Sequence, residues 1–150
     1  MKLESYIIIF DNLRKPINSI NRQNFDKYYP YYGAQGIIDY IDNYIFEGDY
    51  ILLAEDGLNL NKNIATWASG KFWVSNHAHV IQTNNLLNQR YLYYWFNYFN
   101  LSNYITGSVQ PKLNKKNVLS IEINPPSLVY QQHIVDTIKK FTLPLLLKSF

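Results

Sequence analysis

Between Gly33 and Gly57 short apolar runs alternate with turn residues: Gly33 and Gly36, Ile37–Ile41, Asp42-Asn43, Tyr44–Phe46, Glu47-Gly48-Asp49, Tyr50–Ala54, then Asp56-Gly57. Runs of that length rich in Ile, Leu and Tyr read as strands, and each break carries residues that favour a turn. After a polar loop at 58–63 the pattern resumes with Ile64–Ala68 and Phe72–Ser75, joined at Ser69-Gly70, and then Ala78–Gln82. Upstream, Leu3–Phe10 reads as a strand ended by Asp11-Asn12, and residues 11–30 are polar and irregular. Strands therefore dominate the first half.

The period then changes. Leu92, Trp95, Phe96 and Phe99 recur at helical spacing within Leu86–Phe99, behind a cap at Asn84 or Asn85. Gly107-Ser108 opens a loop reaching Asn117, and Val118–Ile123 returns to strand. Pro125-Pro126 breaks the chain, and Ser127 is placed to cap a helix over Leu128–Phe141. Its stripe is Gln131, Ile134, Val135, Ile138 and Phe141, and Pro144 is expected to stop or kink it. The expected fold is a compact α+β domain of short twisted strands with a few helices.

A chain of 150 residues is one domain long. At that size folding buries roughly 68–70% of the extended surface, so the core needs no staple. The absence of Cys excludes disulfides, Cys-ligated zinc, iron–sulfur clusters and cysteine nucleophiles, and fits a reducing compartment. The apolar run Tyr6–Phe10 is too short to span a bilayer and no signal-peptide pattern precedes it. A cytoplasmic chain without a membrane role is expected.

The net charge of +3 conceals an asymmetry. Residues 1–60 carry five bases against nine acids, a net of −4, while residues 61–150 carry nine bases against two acids, a net of +7. No acid occurs from Gly57 to Ile121, where Lys62, Lys71, Arg90, Lys112, Lys115 and Lys116 lie among Asn, Gln, Ser, Trp and Tyr. Such a stretch suits a phosphate-facing surface, with cations for affinity and amides for base edges. It also suits an ordinary solvated face.

Catalytic patterns are weak. Asn124-Pro125-Pro126 has the start of an amino-methyltransferase turn, but Ser127 follows where an aromatic is needed, and no Gly-rich cofactor loop follows a strand. His77 and His79 would share one face of a strand as a metal pair does, yet no third ligand is near in sequence. Glu47, Asp49, Glu55 and Asp56 fall at turns, where acids are ordinary. Neither a Gly-x-Ser-x-Gly elbow nor a phosphate-binding loop occurs. Neither catalysis nor a cofactor or metal is indicated.

Binding segments are better marked. Tyr28–Tyr32 runs into Gly33-Ala34-Gln35-Gly36, whose glycines permit close backbone approach. Trp67, Ser69, Gly70, Lys71 and Trp73 form a basic, aromatic hairpin, and Gly107–Lys112 forms a flexible loop bearing Gln110 and Lys112.

Five segments, taken in order, resemble the target-recognition domain of type I restriction-modification specificity subunits. They are Tyr31–Tyr40 (YYGAQGIIDY), Tyr50–Gly57 (YILLAEDG), Trp67–Val80 (WASGKFWVSNHAHV), Tyr104–Leu113 (YITGSVQPKL), and Pro125-Pro126 leading into Gln131–Val135 (QQHIV). The resemblance implies a non-catalytic domain that binds double-stranded DNA sequence-specifically and directs a separate adenine methyltransferase, or modification, subunit to its site. It assigns residues 1–126 to the recognition domain and 127–150 to a C-terminal helix, a remnant of the spacer helix through which two copies would form a homodimer.

On that reading Lys71, Lys112, Lys115 and Lys116 contact phosphates, while Gln35, Ser69, Asn76, Ser108 and Gln110 face base edges. The alternative is a protein-interaction module of the same fold, which docks a methyltransferase or self-associates without reading DNA. The Tyr-rich surface and the apolar tail Leu143–Leu147 would serve it.

Overall fold

The computed structural model describes residues 1–148, with side chains described through Thr142. Among the described residues eight strands form two four-stranded sheets. β1 (Ile7–Ile9), β8 (Ala78–Thr83), β5 (Tyr50–Ala54) and β6 (Ala65–Ala68) make the first, in that order and wholly antiparallel. β3 (Gly36–Ile41), β2 (Tyr29–Gly33), β7 (Lys71–Val74) and β4 (Phe46–Glu47) make the second, with β2 and β7 parallel. The helices are α1 (Ser19–Arg22), α2 (Gln89–Tyr98), α3 (Lys115–Ser120) and α4 (Leu128–Lys148).

The period-2 geometry of β5 organises the layers. Ile51 and Leu53 face a core shared with Leu92 and Phe96 of α2 and Val118 of α3. Leu52, pointing the other way, joins Val80 and Ala68 against Tyr32, Phe46, Phe72 and Val74 of the second sheet. A central strand buried on both faces reads as a continuous apolar run, which is what YILLA is. Buried Gln131 fixes α4 to the start of α2: its amide oxygen accepts from the Asn88 N–H, and its amide nitrogen donates to the Pro126 carbonyl, both at 2.8 Å.

Several expectations need correction. The N-terminal strand covers only Ile7–Ile9, because Leu3–Ser5 turns in a 3-10 helix that buries Leu3. Val118–Ile123 is not a strand. Asn114 accepts from the Asn117 N–H at 2.8 Å and starts α3, and only after it do Ile121 and Ile123 pair with the N-terminal backbone. The cap of α2 is Asn88, which accepts from the Tyr91 N–H, while the Asn84 side chain donates to the Ser5 carbonyl instead.

Ser69-Gly70 is not a hairpin turn. β6 belongs to one sheet and β7 to the other, so Gly70, at φ +84, is a corner between sheets. Ser127 does cap α4, accepting from the Tyr130 N–H. Pro144 does not stop that helix, and α4 continues to Lys148. Phe141 leaves the buried stripe and is 72% exposed. The side chains of Leu143–Leu147 lie outside those described.

Candidate nucleic-acid interface

The Ala54 end of β5 gathers loops from four parts of the chain. The Glu55 N–H donates to the His77 carbonyl at 2.9 Å, the Leu113 N–H donates to the Glu55 carbonyl at 2.6 Å, and the Leu58 N–H reaches the Pro111 carbonyl at 3.4 Å. These bonds knit loops 55–63, 75–77 and 106–112 together. The Ser75 N–H donates to the Tyr32 carbonyl at 3.0 Å, bringing the Gly33–Gly36 turn to the same end. Gly33 packs closely there: a Cβ would lie 2.9 Å from Cγ2 of Ile38, so the Ile38 side chain would have to shift to admit one.

Loop 106–112 is closed by two backbone bonds between Thr106 and Lys112, at 2.8 and 2.7 Å. Gly107 takes φ +87, and a Cβ on it would meet the Gln110 carbonyl oxygen at 2.5 Å, so the turn demands glycine. Its apex projects into solvent, Val109 being 97% exposed.

Beneath these loops lies a buried polar hub. His79 is 0% exposed; its Nδ1 lies 2.6 Å from Asp11 Oδ2 and its Nε2 lies 2.6 Å from the Leu113 carbonyl oxygen. Asp11 Oδ1 accepts from the Val80 N–H at 2.9 Å. Arg14 donates from Nη1 to the Ala78 and Asn76 carbonyls at 2.9 and 3.2 Å, and to Glu55 at 3.4 Å. Burial pushes the Asp11 carboxyl upward, but the hydrogen bond and charge of His79, the Val80 amide and Arg14 outweigh it and hold it below its ordinary value.

Asp11, Glu55 and His79 place potential metal-donor atoms within 4.8 Å of one another. The Arg14 guanidinium already lies against both carboxylates, at 3.7 and 3.4 Å, so a side chain supplies the cation there. His77 and His79 do not form a pair, because His77 is exposed and bonds Asp56 at 2.7 Å. Farther along, Arg22 and Lys27 meet Asp39 at 2.9 and 3.2 Å. Asp11 and Glu55 therefore share the Arg14 guanidinium, and Asp39 faces both Arg22 and Lys27, which offsets part of the negative charge of the N-terminal segment.

The nine residues singled out in the sequence separate into three places. Asn76, Ser108, Gln110 and Lys112 stand exposed on the knitted loops. Gln35 belongs to the same end, but its amide is engaged: it accepts from the Asn59 N–H at 2.7 Å and donates to the Asn59 and Asn63 carbonyls at 3.0 and 3.1 Å. Ser69 and Lys71 lie at the Tyr50 end of β5, where Ser69 donates to Asp49 at 2.5 Å and the Lys71 ammonium sits 5.0 Å from the Tyr44 ring. Lys115 and Lys116 begin α3 and line a depression with Lys2, Glu4 and Leu119.

Sequence reading missed Asp11 and Arg14, which fell in the segment read as irregular. It noticed His79 only as half of a metal pair. A charged residue beside a short apolar strand is the one local hint of the hub, and it does not name the partners.

A family model for the type I restriction modification DNA specificity domain matches residues 7–147. The chain belongs to that family. This specificity domain is 38% identical over 141 residues to a protein named as a type I restriction enzyme specificity subunit in Haemophilus influenzae, covering 93% of the chain and 36% of that protein. It is 27% identical over 124 residues to the EcoprrI specificity subunit of Escherichia coli, covering 83% of the chain and 30% of that protein. Among solved structures, the S subunit of a type I restriction-modification system from M. genitalium superposes with a TM-score of 0.74 at 12% identity, over 95% of this chain and 38% of that one.

The specificity domain thus spans about a third of the length of these relatives, and the last likeness establishes its α+β fold. The family is the non-catalytic, DNA-recognising component of type I systems. Among the described residues no helix is long and apolar enough to cross a membrane.

Proposed function

We propose that this specificity domain reads a short sequence of double-stranded DNA with the loops at the Ala54 end of β5. Asn76, Ser108 and Gln110 face base edges, Lys112 contacts phosphate, and Gln35 holds loop 59–63 beside them. The observation that carries the reading is the convergence of polar, exposed loops onto one end of a rigid two-sheet scaffold, where Glu55 and Asp39 are paired with arginines. Sites on such loops are positioned by the scaffold and vary without disturbing it. Ser69 and Lys71, and Lys115 and Lys116, stand outside this surface.

The proposal extends to partners. A separate methyltransferase subunit docks on the domain to act at the site it marks, and α4 is the element on which a second copy associates. Val129 and Tyr130 on that helix are 83% and 56% exposed, which suits a helical partner. Residues 1–126 then act as the recognition domain and the segment 127–150, with α4 its described part, as the docking element.

Selection from randomised duplex DNA at low salt, followed by anisotropy titrations at two salt concentrations, tests the reading. Enrichment of a motif of a few base pairs is expected. Salt-sensitive binding without any enriched motif would overturn it in favour of the protein-interaction module, for which the exposed face of α4 is the supporting feature.

A further inference from the structure

We propose that His79 is a positioning residue for DNA reading, which fixes the root of loop 106–112 by donating its Nε2–H to the Leu113 carbonyl. The inference rests on the recognition reading above. A fully buried imidazole on a central strand is costly unless both ring nitrogens are bonded. Here the Nε2 bond is spent on Leu113, the residue that follows the exposed loop, at 2.6 Å, and the Nδ1 bond on Asp11, at 2.6 Å. The Leu113 carbonyl only accepts, so Nε2 carries a proton.

Leu113 is held on three sides. Its side chain is 0% exposed, its N–H donates to the Glu55 carbonyl, and its carbonyl receives the imidazole. Beyond it, the Lys112 and Thr106 backbones close the loop that bears Ser108 and Gln110. Moving Leu113 moves Lys112, and with it the apex. Bidentate reading of a base pair requires side chains placed to within about 0.5 Å, so the tether acts on discrimination rather than on phosphate affinity.

Two substitutions separate this role from simple stabilisation. In His79→Gln the side-chain amide nitrogen reaches the place of Nε2 and keeps the bond to Leu113 while losing Asp11. In His79→Asn it reaches the place of Nδ1 and keeps Asp11 while losing the loop. Both perturb the core. Amide hydrogen exchange at Thr106, Lys112 and Leu113 is measured in each variant of the whole 150-residue chain, together with affinity for the selected duplex against one altered at a single base pair.

His79→Asn is expected to speed exchange at those amides at least tenfold and to lose about tenfold of the discrimination, whereas His79→Gln stays within threefold of the parent on both. Equal behaviour of the two variants, or unchanged loop protection in His79→Asn, would overturn the proposal. If the parent domain enriches no motif, the recognition reading fails, and the exchange comparison still decides the tether. Should neither variant fold, nitrogen-15 spectra of the parent decide it: a proton on Nε2 supports the tether, and an unprotonated Nε2 refutes it.

Discussion

At the Ala54 end of β5, loops are fastened by charged groups whose bonds are directional: Arg14 reaches two carbonyls and Glu55, and His79 joins Asp11 to Leu113. At the Tyr50 end, the chain turns from one sheet to the other over packed rings. Tyr50 meets Phe10, Phe46 and Phe72 at centroid distances of 5.7, 5.4 and 5.7 Å, and Phe46 stacks on Phe72 at 5.6 Å. Ring packing tolerates small displacements, because dispersion is summed over many contacts of similar strength. A hydrogen-bonded ion network does not, since each bond weakens steeply with distance and angle. The aromatic end secures the two sheets, and the polar end sets where the loops stand.

Phe72→Ala should break the aromatic end hardest. The ring is 0% exposed, and its removal should cost about 3–5 kcal/mol in urea unfolding while the enriched DNA motif, measured where the variant is folded, stays unchanged. Arg14→Ala attacks the other end. It leaves two partly buried carboxylates without their guanidinium and should cost about 3 kcal/mol, with faster hydrogen exchange across loop 75–77.

A smaller effect is read by pH. Asp11 and Asp39 both lie below the ordinary carboxylate value of 3.8 in the folded chain, so the unfolded chain binds their protons first. Their contribution is complete above the ordinary carboxylate range and is lost as pH falls through the lowered values. Urea midpoints should therefore drop between about pH 5 and pH 3, and Asp11→Asn should show a shallower drop over that interval. An unaltered slope in Asp11→Asn would place the acid lability elsewhere.

Gln110→Ala should leave stability alone and lower discrimination at one base pair by ~1–3 kcal/mol, seen as relaxed preference in a repeat selection. Lys112→Ala should weaken all duplexes alike and reduce the salt slope by about 1. Lys71→Ala, at the opposite end of β5, should change binding by no more than ~0.5 kcal/mol. A Lys71 effect equal to that of Lys112 would show that the duplex spans both ends and would dissolve the contrast between them.

Much of the scaffold was legible from local pattern. Ile37–Ile41, Tyr50–Ala54, Phe72–Ser75 and Ala78–Gln82 emerge as strands with shifts of a residue or so, because turn residues bound each run and β-branched or aromatic side chains fill it. Val118–Ile123 misled, since Val118 and Ile121 are buried at a helical spacing while Ile121 and Ile123 alternate as in a strand, and only the Asn114 cap distinguishes the two. The site was legible in part. Loop 106–112 announced itself by Gly107 and its polar tip, whereas the division of nine candidate residues among three surfaces did not.

Local sequence determined where strands, turns and helices fall and which family the chain resembles, because propensity, period and turn chemistry act over a few residues. Tertiary structure alone decided that β6 and β7 part into different sheets, and that Asp11, Arg14, Glu55, His79 and Leu113 meet under one set of loops. Those partners are 34 to 68 positions apart in the two His79 bonds, and contacts at such separations are set by how whole layers pack.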